Sequence, residues 1–418
     1  MDKIVVVGGN ALKGRVTISG AKNATLPIMA ATLLAKGKFK FHNVPNLQDV
    51  RTMARLLQML GAKVEHSGSD VDIDTTTVES WEAPYELVKT MRASVCVLGP
   101  LLGKQGRARV SLPGGCAWGP RPVDLHLKGM AALGADIKLE HGYIEATAPR
   151  GLKGKRVYLD KPSVGATENI MMAASSAEGE TVIENAAREP EITALAELLT
   201  GMGAQVVEKS AGVISIVGSK SLQATEASMI PDRIEAGTYM MAVAASRGNA
   251  WIDNCNPDNL SAVLNKLVEA GVEVNVEGKS VQIRMEGKPE AVDVTTAPYP
   301  GFPTDLQAQM MAFMCEADGA SVITDTIYHD RFTHVPELRR LGADIELDAN
   351  VAVVRGVERL QGAKVMATDL RASAALVIGG LVAENTTEVS RVYHLDRGYE
   401  LLEEKLRGLG ADISREKE

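Results

Sequence analysis

Cysteine and aromatic side chains are scarce in this 418-residue chain, which has 4 Cys, 3 Trp, 8 Tyr and 5 Phe. Cys96, Cys116, Cys255 and Cys315 show no CxxC spacing. That argues against a zinc site or a disulfide framework and fits a reducing compartment. With so few rings, small aliphatic side chains must do most of the packing. A basic excess is also missing. The formal net charge is −8, which disfavours nucleic acid or an anionic membrane surface as a partner. Any anionic ligand would need a local basic cluster working against the overall field. No apolar run approaches a membrane-spanning length. The start, MDKIVVVGGN, has only four consecutive apolar residues, too few for a signal-peptide core. The expected location is the cytoplasm. A P-loop is absent, and IVVVGGN resembles a dinucleotide-binding start but lacks GxGxxG. His329 and His334 stand five apart, the wrong spacing for a helical metal pair.

What is present is an ordinary globular composition, 45% hydrophobic and 23% charged. The length exceeds what one core supports, so two domains of about 200 residues each are expected. Within that length a phrase recurs six times: an amphipathic helix ending in Gly, then an alternating strand. LLQMLGAKVEH, KGMAALGADIKLE, LLTGMGAQVVE, KLVEAGVEVNVE, LRRLGADIELD and KLRGLGADISRE place the glycine at 61, 134, 203, 271, 342 and 410. Each glycine follows a last helical turn, where a left-handed residue reverses the chain. A second phrase keeps a similar period. It is a polar turn opening a helix that is apolar nearly all round, from Ser19, Met91, Ser163, Pro231, Pro300 and Asp369. Such helices belong at the centre of a domain. Six units of roughly 70 residues split naturally into three plus three. A solenoid scaffold without chemistry is the plain alternative, but its units are usually shorter.

Four places could carry chemistry. In SGAKNA, Lys22 and Asn23 open a buried helix, where free N–H groups and the helix dipole favour an anion. A solvated turn lysine explains the same residues. SLPGGCAWGPRPVDLH, residues 111–126, is too rich in Gly and Pro for a regular element and reads as a lid-like loop. Cys116 sits at its tip with Arg121 nearby, which could lower the thiol pKa. Cys96 and Cys315, on apolar helices, read as core residues. In APYPGFPTDLQAQMM the prolines fix the backbone ahead of a helix. Asp305 is there either an ordinary N-cap or a general base beside a substrate hydroxyl. Arg92 and Arg371 each open a buried helix, and Arg397 lies in HLDRGYE.

Taken together, SGAKNATLPI, PGGCAWGPRPVDLH, KPSVGATENIMMAA, YPGFPTDLQAQ, DLRASAALV and HLDRGYE closely resemble the UDP-N-acetylglucosamine 1-carboxyvinyltransferase family, over essentially the whole chain. The resemblance implies an α/β fold of two similar domains, each three βαββ-type units wound into an inside-out barrel. One domain would span 22–229 and the other 1–21 with 230–418, with the active site in the cleft between them. It implies transfer of the enolpyruvyl group of phosphoenolpyruvate (PEP) to the 3-hydroxyl of UDP-N-acetylglucosamine, the first committed step of peptidoglycan synthesis. Lys22, Arg121 and Arg397 would hold PEP, with Cys116 the catalytic cysteine and the residue that fosfomycin modifies. Asn23, Arg92, Arg121, Pro122, Val123, Asp124, Leu125, Lys161, Pro162, Ser163, Val164, Asp305 and Ile327 would hold the UDP-sugar. Arg371 is counted with the substrate-binding set. No metal or organic cofactor, nucleic acid, membrane or obligate protein partner is implied. Two positions depart from the family pattern: Gln48 where a basic residue commonly precedes Asp49, and Pro162 where a small aliphatic residue is usual. The rival acceptor is shikimate 3-phosphate, whose enolpyruvyl transferase lacks the PGGC loop. A repeat-built nucleic-acid-binding protein is the rival from another class, disfavoured by the charge.

Overall fold

A computed structural model describes residues 2–88, 91–112 and 123–418, with only the backbone described at Arg92. Among these residues the strands form six four-stranded sheets. One repeat shows how each is built. The short strand Val294–Thr295 leads into the inner helix Gln307–Met314 and returns as Ala320–Thr324, parallel to the first strand. The outer helix Val335–Arg340 follows. The antiparallel hairpin Asp344–Asp348 and Val351–Arg355 then completes the sheet. Along Val351–Arg355 only Ala352 and Val354 are fully buried, the period-2 pattern of a sheet with one wet face. The six recurring glycines all have positive φ, from 88° at Gly271 to 109° at Gly203, a conformation that glycine adopts without a Cβ penalty.

The chain divides into two compact units: residues 2–19 with 231–418, and residues 20–230, among the described residues. In the first, the inner helices Arg233–Ala245, Gln307–Met314 and Leu370–Val382 pack on one another with the sheets around them. In the second, Lys22–Ala31, Leu98–Gln105 and Val164–Ala174 take those places. Every residue of Gln307–Met314 is buried, which is why the helix has no polar face. Close approach explains the scarcity of large side chains. A Cβ on Gly237 would lie 2.4 Å from Leu306 Cδ1, and one on Gly99 would lie 2.3 Å from the Asn169 carbonyl oxygen.

Each unit borrows strands from a distant part of the chain. Asp2–Val7 lies between Thr386–Ser390 and Asp412–Lys417, antiparallel to both. Lys13–Thr17 pairs in parallel with Asn249–Asp253, and Glu226–Ser228 with Lys38–His42. Two inner segments differ from the helices read from sequence. The one from Met91 starts as a 3-10 turn, Arg92–Val97, before the α-helix Leu98–Gln105. Pro100 has no N–H to return to Cys96, so a helix continuous from Arg92 would lose one of its backbone bonds there. The one from Pro300 passes through a turn at Tyr299–Pro300 and a bend at Gly301 before a 3-10 turn at Thr304–Leu306. Among the described residues no helix is long and apolar enough to cross a membrane. Cys96, Cys255 and Cys315 are buried free thiols. Burial pushes Cys255 up to about 11 and Cys315 up to about 12.

Glu168, on the inner helix Val164–Ala174, is 4% exposed and, among the described residues, its carboxyl meets only the Cys96 thiol, at 3.9 Å. Burial, reinforced by Glu191 and Glu189, raises its carboxyl well above the usual range and so favours the protonated form. In the unfolded chain the same group ionises near about pH 4.3. The native state therefore binds the extra proton, and stability falls as pH rises from there toward the raised native pKa. Glu168→Gln should remove this dependence. Its melting temperature should gain on the wild type by a few degrees between about pH 5 and 8, given about 2–4 °C per kcal/mol for domains of this size. Parallel melting curves would argue against a neutral Glu168.

Candidate active site

In the 231–418 unit the entrances of the inner helices carry three aspartates. Asp232 and Asp369 are N-caps, each accepting two backbone N–H bonds from the first turn of its helix. Asp305 is not a cap; neither its 3-10 turn nor the following helix has a side-chain capping bond. Its carboxylate faces two arginines instead. Oδ2 accepts from Arg371 Nε at 3.2 Å and from Nη2 at 2.9 Å, and Oδ1 lies 2.8 Å from Arg331 Nη1. The arginine side chains are 2% and 7% exposed, and that of Asp305 is 25% exposed. Burial alone would raise the Asp305 pKa. The charges and hydrogen bonds of Arg371 and Arg331 outweigh it and hold the carboxyl well below its usual range.

The clamp is itself braced. Arg331 donates to Thr304 Oγ1 at 2.9 Å, and Thr304 donates to Asp325 Oδ2 at 2.7 Å. Asp325 Oδ1 accepts from the N–H groups of Ile327 and Tyr328, both at 2.9 Å. The Ile327 backbone is thus tied to the Asp305 turn. Behind Arg371, its guanidinium carbon lies 5.3 Å from the centre of the Tyr399 ring, a cation–π distance. The Tyr399 hydroxyl meets Thr238 Oγ1 at 2.9 Å and Gln309 Nε2 at 3.0 Å. Arg371 Nη1 is buried and has no hydrogen-bond partner among the described residues. A buried cationic donor of this kind suits an anionic ligand. Arg397 closes a 3-10 turn, Val392–Arg397, two residues before Tyr399.

In the 20–230 unit the anticipated residues also gather at helix entrances. Lys22 is the first residue of its inner helix, and its Nζ lies 2.8 Å from Asp49 Oδ2, with both side chains at least nine-tenths buried. Asp49 is in the first turn of Gln48–Met59, so Lys22 has a fixed counter-charge. Asn23 follows it. Val123 is the N-cap of Asp124–Ala132, whose first turn holds Asp124 and Leu125. Ser163 caps Val164–Ala174, while Lys161 and Pro162 are exposed just before it. Arg92 opens its 3-10 turn.

Asn169 joins these segments from behind. Its Nδ2 donates to the Val95 carbonyl at 3.0 Å and lies 3.0 Å from His126 Nδ1, while its Oδ1 accepts from Gly99 N–H at 2.6 Å. Cys116, Arg121 and Pro122 lie outside the described residues.

Sequence reasoning missed Arg331, Asp49, Asp325, Tyr399 and Asn169. Arg331 had one usable signal. It sits in the TIYHDRFTH segment beside apolar Phe332, and a charge buried there requires a partner.

Comparison with known proteins sets this geometry in a lineage. The chain is 56% identical over 418 residues, all of both chains, to the UDP-N-acetylglucosamine 1-carboxyvinyltransferase of Geobacter metallireducens. It is also 56% identical over 418 residues to the protein of that name from Geotalea uraniireducens, again with full coverage of both. The chain belongs to the UDP-N-acetylglucosamine 1-carboxyvinyltransferase family. A wider family profile, EPSP synthase (3-phosphoshikimate 1-carboxyvinyltransferase), matches residues 6–406. Among solved structures, the enolpyruvyl transferase NikO from Streptomyces tendae superposes with a TM-score of 0.90 at 26% identity, over 99% of each chain. EPSP synthase from Acinetobacter baumannii gives 0.76 at 18% identity over 100% of each, a likeness of fold alone. Family members thus share the two-domain inside-out α/β architecture, here with inner helices wrapped by sheets.

Proposed function

We propose that this enzyme transfers the enolpyruvyl group of PEP to the 3-hydroxyl of UDP-N-acetylglucosamine, releasing phosphate, as the first committed step of peptidoglycan synthesis in the cytoplasm. The observation that carries the reading is identity of 56% along the whole chain with curated relatives bearing that activity in their name. The Asp305–Arg371–Arg331 cluster supports it, because it sets an ionised carboxylate beside buried cations. In this reading the two units are the two catalytic domains.

The chemistry assigns the roles. The 3-hydroxyl oxygen forms a bond to C2 of PEP while C3 gains a proton. C3 then loses a proton, the C2–O bond to phosphate breaks, and the enol double bond is restored. The hydroxyl must give up its proton, and Asp305 is the acceptor beside it. Cys116 is the acid that protonates C3, and it is the residue that fosfomycin alkylates. PEP carries about three negative charges, so burying it needs several cations. Lys22, Arg121 and Arg397 supply them, with Arg371 adding a buried donor. Asn23, Arg92, residues 121–125, residues 161–164, Asp305 and Ile327 hold the UDP-sugar.

The test is phosphate release from PEP with each candidate acceptor. UDP-N-acetylglucosamine should support turnover, and shikimate 3-phosphate should give only background. Release with shikimate 3-phosphate and none with the UDP-sugar would overturn the assignment.

A further inference from the structure

Arg397 stands on a short turn whose Val392 and Leu395 are buried in the core. The turn Val392–Arg397 is entered through Arg391, a non-glycine residue at φ 58°, and Tyr393 on it is half exposed. Backbone bonds close its end. Gly398 and Tyr399 both donate to the Leu395 carbonyl at 3.0 Å. Gly398 also packs so tightly on Leu370 that a Cβ there would come within 2.7 Å of Leu370 Cδ1. A further hold comes from the strand Asp412–Lys417. Arg415 takes the carboxylate of Asp396, the residue just before Arg397, with both terminal nitrogens: Nη2 to Oδ1 at 2.6 Å and Nη1 to Oδ2 at 3.0 Å. The same guanidinium meets Glu403 through Nε at 2.5 Å and Nη2 at 3.3 Å. Glu403 is 5% exposed and sits in the first turn of Leu402–Gly408. One arginine therefore holds both ends of the segment 396–403.

We infer that Arg415 is a positioning residue for the anionic substrate: by clamping Asp396 and Glu403 it sets the turn that presents Arg397 and keeps Asp396 from competing for that arginine. The inference rests on the reading of Arg397 as a PEP ligand. Two physical effects act together. The planar fork fixes the direction of the Asp396 backbone in a way a single-point ammonium cannot. It also neutralises a carboxylate that would otherwise stand beside a site for a phosphate and a carboxylate, repelling the substrate or capturing Arg397.

Steady-state kinetics on the full chain test this with Arg415→Gln, Arg415→Lys, Asp396→Asn, Arg397→Ala and the Arg397→Ala/Arg415→Gln double variant. Arg415→Gln should raise KM for PEP by about 10- to 100-fold, the scale of misplacing a binding group by an ångström. The UDP-sugar dissociation constant should stay near wild type. Arg415→Lys should restore part of the loss, since charge returns without the fork. Asp396→Asn, which keeps the side-chain shape, should raise KM for PEP even if Arg415→Gln folds poorly. The double variant should be no worse than Arg397→Ala, because a residue acting only through Arg397 has nothing left to act on. Additive losses in the double variant, or equal losses in affinity for both substrates, would overturn the inference in favour of a general structural role. So would an unchanged KM for PEP in both Arg415→Gln and Asp396→Asn while Arg397→Ala raises it. An unchanged KM for PEP in Arg397→Ala would instead remove Arg397 from the PEP site, and the inference with it.

Discussion

Asp305→Asn should bind the UDP-sugar with near wild-type affinity and turn over about 10²–10⁴ times more slowly, the usual weight of a general base. The amide keeps a hydrogen-bond acceptor for the hydroxyl but cannot take its proton. Loss of the negative charge from between Arg371 and Arg331 also costs stability. Breaking a fully buried pair costs about 3–5 kcal/mol, and less is expected here because the Asp305 side chain is a quarter exposed. Retained UDP-sugar binding distinguishes a folded, slow enzyme from an unfolded one. The arginine clamp adds a pH signature. Arg371 and Arg331 hold the Asp305 carboxyl well below its usual range, so the acidic limb it contributes to kcat/KM lies at unusually low pH. Arg331→Leu removes one stabilising cation, so the pKa rises and the limb should move to higher pH. A limb that stays in place, or an Asp305→Asn enzyme of near wild-type rate, would show that Asp305 is not the base. A depressed pKa makes a weak base in the ligand-free enzyme. In the proposed site, the negative charges of PEP near Arg371 would offset part of that depression when the proton must move.

Cys116→Ser should be nearly inactive, by at least about 10²-fold, because a hydroxyl is too weak an acid to protonate C3. Cys116→Asp should keep substantial activity with its optimum moved to lower pH, since a carboxyl of ordinary pKa, about 3.9, is mostly ionised at neutral pH. The aspartate is also hard to alkylate, so this variant should resist fosfomycin. Peptide mapping after fosfomycin treatment of the wild type reads the assignment directly. Cys96, Cys255 and Cys315 are buried, and burial raises the thiols of Cys255 and Cys315. Label on any of those three, or full activity in Cys116→Ser, would remove the acid role from the 111–122 loop.

The repeats were legible because their signals are local. A helix that ends in glycine and a strand that alternates leave marks within a dozen residues, and Gly61, Gly134, Gly203, Gly271, Gly342 and Gly410 all take the left-handed conformation such a turn needs. Helices apolar on every side declared themselves as interior. Pairing between distant segments leaves no such mark. Nothing in MDKIVVVGGN tells where its strand lies between two others from the last repeat. Charge pairing is equally non-local. Asp305 was recognisable as a candidate, but a cap and a base look alike until Arg331 and Arg371 are seen to claim its carboxylate. Lys22 could be placed at a helix entrance, yet its partner Asp49 is found only in the folded unit.

The strand Asp2–Val7 precedes the whole 20–230 unit in the chain, whereas its neighbours Thr386–Ser390 and Asp412–Lys417 follow that unit. During synthesis an apolar segment, IVVV, must therefore wait, unpaired and open to other strands, while the intervening chain appears. The 20–230 unit has no such wait, because its borrowed strand Glu226–Ser228 arrives together with the end of the unit. That unit can close early. The other cannot complete its sheet until translation reaches Asp412–Lys417, and a closure over so long a loop is slow. A nascent chain stalled near residue 400 would hold one finished half and one with an exposed sheet edge, the state in which a chaperone or an aggregate finds its grip.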